Sequence, residues 1–224
     1  MAFSAEEPQK VGEPPEWEGR SLERSLRSAR GLLIERSHRI VAAARELANE
    51  AGNASFTVAQ VARRAGLSIK SVYRCFDGKD EVLLALLEEE SRAGAALLAE
   101  RIDQQTDPVA RVRAFVDGIF ELLTHPAAEG YAGVLVTEHH RLFDERPDDL
   151  RLALSPLVDL LARQVADAER AGRIDPGDAA RAAASLFDLV LVALHRVVRG
   201  EGDAMETAGW VWRFGFGGLR GDAG

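Results

Sequence analysis

Four neighbouring side chains are hydrogen-bond donors with a charge or a hydroxyl: Lys70, Ser71, Tyr73 and Arg74. Lysine and arginine can donate to guanine edges, and both donate to phosphate oxygens, as hydroxyl groups do. Val72 and Phe76 are one turn apart, so a helix here would bury them and turn the donors outward. The pattern predicts a helix face that binds nucleic acid.

Start and stop signals for short helices surround these donors. Apolar residues at helical spacing predict a first helix over 40–51, which ends at Gly52. Thr57 and Gln60 then form a capping box, in which each side chain accepts from a backbone amide of the other residue. A second helix is therefore predicted to begin at Val58.

The second helix is short, and the chain turns tightly after it. Gly66 ends it after about two turns, and Ser68 supplies the cap of a third helix over 69–75. Two short helices joined by a turn that contains glycine predict a helix-turn-helix, whose second helix enters the major groove of DNA.

This region resembles the helix-turn-helix of the TetR family of transcriptional regulators. The resemblance is carried by TVAQVARRAGLSIKSVYRCF, residues 57–76, and by the Gly78-Lys79-Asp80 start of the next helix. The DNA-binding domain that it implies, residues 34–94, covers about a quarter of the chain, and the chain length also fits the family. The resemblance implies an N-terminal three-helix DNA-binding domain and a helical C-terminal domain that dimerises and binds a small effector.

The resemblance also implies which residues contact DNA: Thr57, Ser68, Lys70, Ser71, Tyr73, Arg74 and Lys79. Among these, Thr57 resembles a phosphate contact, and Tyr73 and Lys79 resemble residues that clamp the DNA backbone. Lys70, Ser71 and Arg74 resemble groove contacts. Two positions depart from the family pattern: Cys75 stands where a histidine or another aromatic residue is usual, and Gly78 replaces a serine-like cap.

The charge distribution supports a DNA-binding N-terminal part. The whole chain has a net charge of −8, which by itself argues against a nucleic-acid partner. Residues 20–79, however, hold 12 Lys or Arg and 5 acidic residues, whereas residues 80–224 hold 15 and 26. A basic N-terminal part on an acidic body directs only one end of the molecule towards phosphates.

Composition divides the chain into three parts. Residues 1–20 are rich in proline and glutamate without a helical or strand period, which predicts a disordered leader. A DNA-binding domain is predicted over 34–94, and an effector-binding and dimerisation domain over 95–224. The basic stretch 20–39 is predicted to be a helical or arm-like extension that seeks phosphate, with plain surface as the alternative.

No signal for export or membrane insertion is present in the sequence. Residues 1–20 lack the apolar run of a secretory signal, and no apolar stretch reaches transmembrane length. Cys75 is the only cysteine, so an intramolecular disulfide is impossible. We expect a soluble, cytoplasmic protein with no membrane partner.

An all-α fold is predicted, because helical apolar spacing continues beyond the motif and no alternating strand pattern occurs. Asp80 begins a long helix that joins the two domains. Further helices are predicted over 108–125, 131–143, 148–171, 176–199 and 203–219, each bounded by Pro or Gly.

The last two helices carry more apolar residues than one buried face requires, and they include tryptophan and phenylalanine. This composition is typical of homodimer interfaces, and a four-helix bundle between two copies is predicted. The predicted interface residues are Phe187, Leu191, Leu194, His195, Trp210 and Phe214. Packing within one chain is the alternative.

Apolar residues of the body are candidates for an effector cavity: Phe115, Ile119, Phe120, Tyr131, Val134, Leu135, His139, Phe143, Leu157, Leu161 and Phe187. They are equally suited to an ordinary core. Adjacent histidines such as His139 and His140 lie about 100° apart on a helix, so no metal site is predicted there. Asp188 and His195, seven residues apart, could form a pair on one helix face.

The sequence lacks the motifs of common enzymes. It has no Gly-x-Ser-x-Gly, no phosphate-binding Gly-x-x-x-x-Gly-Lys and no His-Glu-x-x-His, and residues 215–218 follow no strand. We therefore expect no catalysis and no cofactor. The predicted function is a homodimeric repressor that binds a palindromic or near-palindromic DNA operator and is released by a small apolar effector. The alternative is a ligand-binding or protein-docking module that keeps the fold without binding DNA.

Overall fold

A computed structural model describes residues 16–125 and 129–220 of the 224-residue chain, and of residues 129–131 and 136 only the backbone. The described residues form helices and no strand, so the all-α prediction is confirmed. None of the described helices is long and apolar enough to cross a membrane.

Three helices form the N-terminal part of the molecule, which we call the head. They are α1 (Glu16–Ala51), α2 (Val58–Arg64) and α3 (Ile69–Tyr73). Apolar side chains of all three are buried together, among them Ile40, Val61 and Val72. Burial of each such side chain stabilises the fold by about 1.5–3 kcal/mol, so even a five-residue helix is held in place.

Six helices form the body. In chain order they are α4 (Lys79–Ile102), α5 (Pro108–Leu123), α6 (Glu129–Glu145), α7 (Pro147–Arg170), α8 (Ala179–Val198) and α9 (Ala204–Leu219). Helix α4 packs along α7 and α5, and α9 packs across α5 and α8. Helix α6 contacts α1, α4, α7 and α8, so it touches both the head and the body.

Helix α1 begins earlier than expected. Residues 16–20, assigned to the disordered leader on composition, are helical, whereas residues 1–15 of that leader lie outside the described residues. Every side chain over 16–35 is exposed, and the first fully buried residue is Ile40. This part of α1 is therefore stabilised by helix propensity and by ion pairs one turn apart, such as Arg20 with Glu16 at 3.2 Å, and not by tertiary packing.

Other helix ends differ from prediction by a few residues. Helix α3 stops at Tyr73, because Arg74 is its cap and Cys75 donates to the carbonyl of Val72 in a tighter turn. Helix α8 begins at Ala179, with Asp178 accepting from the amide of Arg181. Helix ends are set by such local caps, which apolar periodicity does not locate.

Candidate nucleic-acid interface and ligand cavity

Caps and one glycine fix the angle between α2 and α3. Thr57 and Gln60 form the predicted capping box, and the carbonyls at the end of α2 accept from the guanidinium of Arg39 on α1. Gly66 has φ +65°, a left-handed conformation that side chains disfavour. The turn is therefore rigid, and α3 is held at a defined distance from α1.

The outward face of α3 is largely exposed, and its two basic side chains form no ion pair with the described residues. Lys70, Tyr73 and Arg74 are exposed, and neither Lys70 nor Arg74 forms an ion pair with another residue of the described ranges. Ile69 is 47 % exposed beside them. An exposed isoleucine on this face, which the sequence did not single out, can pack against the methyl group of thymine.

Three of the predicted DNA contacts also hold the motif itself together. The hydroxyl of Thr57 accepts from the amide of Gln60 at 3.2 Å. The hydroxyl of Ser68 accepts from the amide of Ser71 at 3.1 Å, and the two serine hydroxyls lie 2.9 Å apart. Thr57 and Ser68 are exposed, so their hydroxyls stay accessible, but their first role in the fold is to cap α2 and α3.

Lys79 stabilises the head through two contacts. Its ammonium donates to the carbonyl of Ala54 at 2.6 Å and lies 5.4 Å from the centre of the Phe56 ring. These contacts tie the start of α4 to the loop between α1 and α2. An ammonium has three N–H donors, so Lys79 can serve this loop and a phosphate at once.

Ion pairs neutralise part of the basic charge of the head. Arg64 bonds to Glu50 at 2.7 and 2.8 Å, and Arg45 pairs with Glu89 and Glu90 on α4. Arg63 on α2 is exposed and forms no ion pair within the described part of the chain. The sequence did not distinguish Arg63 from Arg64, because their charges are the same and only the tertiary contacts differ.

Helix α6 is joined to its neighbours at two places, the first turn of α4 and the end of α1 in the head. The guanidinium of Arg141 donates to both carboxylate oxygens of Asp80, in the first turn of α4, at 2.7 and 3.0 Å. This guanidinium lowers the pKa of Asp80. At the second place Gly133 packs against the end of α1 so closely that a Cβ atom there would lie 1.8 Å from the carbonyl oxygen of Gly52.

A cavity of about 260 Å³ lies between α6, α7 and α8. Its lining is mostly apolar, with a histidine, an aspartate and an arginine: His139, Phe143, Pro147, Leu150, Arg151, Leu154, Val158, Ala184, Phe187, Asp188 and Leu191. Burial raises the pKa of Asp188 and lowers that of His139 to about 4. The cavity can accept an apolar molecule with one hydrogen-bonding group.

Only part of the predicted cavity lining lies at this cavity. His139, Phe143 and Phe187 line it, while Ile119 and Leu157 line a smaller cavity of about 120 Å³ between α4, α5 and α7. Five others are buried in the core and line neither: Phe115, Phe120, Val134, Leu135 and Leu161. The side chain of Tyr131 lies outside the described residues. An apolar residue type does not show whether a side chain lies in the core or lines a cavity, because both places exclude water.

Three histidines meet where α6 packs on α8. The ring centres of His139, His140 and His195 are 5.2–5.7 Å apart, although His195 is more than 50 residues from the other two. Asp188 and His195 lie on the same helix, but no ion pair joins them in the described structure. The sequence could not predict this cluster, since helix spacing alone separates His139 from His140.

The predicted dimer interface needs correction. Phe187, Leu191 and Leu194 are buried inside one chain and therefore have no surface to offer a partner. Trp210 and Phe214 stack with ring centres 5.4 Å apart and are 49 % and 66 % exposed. His195 is half-buried beside the other histidines.

An open groove of about 470 Å³ runs between α8 and α9 beside Trp210. Its lining combines apolar and charged side chains: Leu189, Val192, Ala193, Arg196, Glu201, Gly202, Asp203, Glu206, Thr207, Trp210 and Arg213. The exposed apolar surface of α8 and α9 therefore consists of outer residues such as Val192, Trp210 and Phe214. The inner face of α8, which the sequence indicated, is not part of it.

Curated proteins and a family model match the head. Residues 40–86 match the model of bacterial regulatory proteins, tetR family. The HTH-type transcriptional regulator HbdR of Aromatoleum sp. (strain CIB) is 33 % identical over 81 residues, 36 % of this chain and 35 % of HbdR. BetI of Stenotrophomonas maltophilia (strain R551-3), also an HTH-type transcriptional regulator, is 34 % identical over 93 residues, 41 % of this chain and 47 % of BetI. The matches span about a third and a half of these relatives.

Solved structures match most of the fold. The TetR-family repressor FadR of Thermus thermophilus, in complex with lauroyl-CoA, superposes with a TM-score of 0.67 over 84 % of this chain and 97 % of that chain. The two sequences are 20 % identical, so this likeness concerns the fold. The family model therefore identifies residues 40–86 as a TetR-family regulatory domain, and the helical architecture of the body is similar to that of solved TetR-family regulators.

Proposed function

We propose that the protein is a homodimeric repressor of transcription that binds a palindromic or near-palindromic DNA operator and leaves it when a small effector occupies the body. Residues 34–94 are the DNA-binding domain, and residues 95–224 bind the effector and form the dimer. The observation that carries the proposal is the exposed face of α3, where neither Lys70 nor Arg74 has an ion-pair partner among the described residues and the helix is capped by Ser68.

Lys70 and Arg74 are the residues we assign to the reading of bases. Both are free to enter the major groove, and a good bidentate contact distinguishes bases by about 1–3 kcal/mol. Ser71, on the same helix face, is assigned to a groove contact. Tyr73 and Thr57 are assigned to the DNA backbone, together with Ser68 and Lys79 at helix starts. Arg63, on α2 within the motif, adds a further exposed charge.

The effector enters the cavity between α6, α7 and α8. Its mostly apolar walls favour a hydrophobic molecule, and Asp188 and His139 supply the hydrogen bonds. The T. thermophilus relative was solved with lauroyl-CoA, an apolar chain on a polar carrier. The volume of about 260 Å³ is below the usual range of roughly 300–1,000 Å³ for ligand pockets, so a small molecule, or a larger one that opens the cavity, fits it.

Release from DNA requires that the effector prefers a different arrangement of α6 from the one that fits DNA. Helix α6 borders the cavity with His139 and holds the first turn of α4 with Arg141. A shift of α6 is therefore transmitted to the head, and it changes the separation of the two recognition helices. The two half-sites of an operator lie one helical turn apart, roughly 34–36 Å. Both recognition helices can therefore bind only when their separation matches this distance.

The test begins with selection of genomic DNA fragments that bind the purified protein. A recovered operator is then titrated at several salt concentrations with the unchanged protein and with Arg74→Ala. We expect Arg74→Ala to lose about 1–3 kcal/mol of operator binding and to discriminate bases less well. The control is Arg163→Ala, which removes an exposed arginine from the body and leaves the head intact.

The measurement separates this proposal from the alternative of a docking module. Failure to enrich any fragment argues for a docking module. Operator binding that Arg74→Ala and Lys70→Ala leave unchanged would instead remove α3 as the element that reads bases. Equal losses on operator and random DNA would keep DNA binding but remove the base-reading role of the residue.

A further inference from the structure

Three of the five histidines of the chain lie together at the α6–α8 contact. The ring centres of His139 and His195 are 5.5 Å apart, those of His140 and His195 are 5.2 Å apart, and those of His139 and His140 are 5.7 Å apart. The cluster joins two helices that are distant in sequence. The edge-to-face contacts alone give no reason for three imidazoles in one place.

These separations fit three imidazoles around one metal ion. A Zn–N bond of about 2.0–2.1 Å places the ring centre roughly 3.2 Å from the metal, and a tetrahedral angle then separates two such centres by about 5.2 Å. The observed values lie within about half an ångström of that separation. The backbone of α6 and α8 therefore already holds the three rings at the distance that a bound ion requires.

Two ring nitrogens of the cluster are buried without a partner. Nδ1 of His139 and Nε2 of His195 have no hydrogen bond within the described structure. Buried polar atoms are normally satisfied, so each such atom calls for an explanation, and a missing ion is one of the recognised ones.

We propose that His139, His140 and His195 form a binding site for a divalent transition-metal ion of the zinc class. Three imidazoles suit Zn²⁺, Ni²⁺, Co²⁺ or Cu²⁺ and disfavour Mg²⁺ and Ca²⁺, which prefer oxygen ligands. A fourth position stays open for water or for an oxygen atom of a molecule in the adjacent cavity, since His139 lines both.

Rotation of the rings completes the site. As the rings stand, no group of three His, Cys, Asp or Glu side chains within the described residues is arranged to hold a metal ion. The ring centre of histidine lies close to the Cβ–Cγ axis, so rotation about this bond re-aims the nitrogens and leaves the centres almost unmoved. This torsion has broad energy wells, so the ring nitrogens can turn towards a common point at little energetic cost.

A metal at this site would act on the same helix as the effector. His139 and His140 directly precede Arg141, which holds Asp80 at the start of α4. An ion that ties α6 to α8 therefore fixes the position from which Arg141 reaches the head. This regulatory consequence rests on the proposed function, whereas metal binding itself does not.

The test uses the full-length protein without a histidine tag. It is dialysed against Zn²⁺ and against Co²⁺, bound metal is counted, and the visible spectrum of the Co²⁺ form is recorded. We expect one ion per chain and the absorption of a four- or five-coordinate cobalt centre with nitrogen ligands. Loss of an outer-shell partner typically weakens metal binding 10–100-fold, so loss of a direct ligand by His140→Ala or His195→Ala should exceed about 100-fold.

Matched controls come from the two histidines outside the cluster. His38→Ala and His125→Ala remove the same side chain elsewhere and should leave the metal content unchanged. His140 is exposed, so His140→Ala tests the site even where a change at half-buried His139 disturbs folding. Metal uptake by the unchanged protein no greater than that of a variant with all three replaced would overturn the proposal, as would full uptake by His140→Ala.

A second measurement addresses regulation separately. Operator binding is titrated with and without saturating Zn²⁺ for the unchanged protein and for His140→Ala, which leaves the DNA-binding face intact. We expect Zn²⁺ to change operator affinity about 5- to 150-fold in the unchanged protein only. Metal uptake without any effect on DNA affinity would refute the regulatory consequence and leave the site. An effect that persists in His140→Ala would place the acting metal elsewhere.

Discussion

Arg141 of the body and Asp80 of the head-proximal turn of α4 form a bidentate ion pair with N–O distances of 2.7 and 3.0 Å. Arg141 also bonds to Glu138 and Glu145 on its own helix, so its guanidinium is fixed before it reaches α4. Asp80 follows Lys79, which holds the loop before α2. Two adjacent residues therefore connect the cavity helix α6 with the start of the DNA-binding motif.

Replacement of Arg141 by glutamine should weaken this connection. The pair is about one-third exposed, so solvent screening limits its contribution to stability to about 1 kcal/mol, less than a fully buried pair would give. The larger effect should be on regulation, because effector binding should no longer change operator affinity. Arg113→Gln, which breaks an exposed pair with Asp117 on α5, is the control and should leave regulation intact. Urea unfolding and operator titrations with and without effector measure both effects, and unchanged coupling in Arg141→Gln would exclude this route.

Acid should remove the stabilisation that Asp80 provides. Arg141 lowers the pKa of Asp80 in the folded protein, so the unfolded chain binds the proton more readily. The contribution is therefore complete above the unfolded pKa of about 3.9 and is lost as the pH falls through the folded pKa. The difference in free energy of unfolding between the unchanged protein and Asp80→Asn should be constant from about pH 5 to 7 and shrink below about pH 4. Other groups titrate alike in both proteins, so a difference as large at pH 3 as at pH 6 would contradict the role of this pair.

Local signals explain why the head could be predicted in detail. The capping box of Thr57 and Gln60, and the left-handed Gly66, depend on neighbours within a few residues, and the structure contains both. The apolar period predicted the body helices for the same reason. These features require no knowledge of the rest of the chain.

Contacts between distant residues explain what the sequence missed. His195 lies beside His139 and His140 only because α8 packs on α6. Arg141 likewise bonds to Asp80, which is 61 residues away in the sequence. The inner face of α8 was predicted to contact a second copy, because the apolar residues of this helix cover more than one of its faces. In the structure α6, α7 and α9 pack on α8, and outer residues such as Val192 remain exposed.

Gly133 should tolerate no side chain. Its Cβ position lies 1.8 Å from the carbonyl oxygen of Gly52, and backbone cannot rotate away as a flexible side chain can. Gly133→Ala should therefore push α6 from the end of α1 and destabilise the protein by about 1–3 kcal/mol.

The control for this change is Gly94→Ala, inside α4. A Cβ atom there meets nothing closer than a carbon of Leu157 at 3.9 Å, so this substitution should stabilise the protein by about 0.5–1 kcal/mol. Thermal or urea unfolding of the two variants distinguishes a clash from a general effect of alanine. Equal stability of both variants would show that Gly133 and Gly52 are not in contact.

Lys79→Ala should act on stability and on DNA binding together. The ammonium holds the carbonyl of Ala54, so its loss frees the loop before α2 and costs about 1 kcal/mol of unfolding free energy. On DNA it should weaken operator and random sequences alike and reduce the salt dependence of binding by about one ion. Lys70→Ala should leave stability unchanged, because the exposed Lys70 bonds to no described residue. A selective loss of operator binding in Lys79→Ala would contradict its assignment to the backbone.

Dimerisation should depend on the exposed apolar strip of α8 and α9. Phe214 is 66 % exposed and stacks on Trp210, an arrangement that offers two aromatic rings to a second copy. Aromatic residues at the centre of an interface typically contribute most of its free energy, and a charge there is left without a partner. Phe214→Glu should therefore shift the protein from dimer to monomer in sedimentation at micromolar concentration, without loss of helix.

Leu152→Glu is the matched control for this experiment. Leu152 on α7 is equally exposed at 66 % and lies outside the α8–α9 strip, so a charge there should leave the dimer intact. The monomeric Phe214→Glu protein should also lose most of its operator affinity, because one recognition helix contributes too small a specific interface. Two results would move the interface to another surface: an unchanged protein that sediments as a monomer, or a Phe214→Glu protein that stays a dimer.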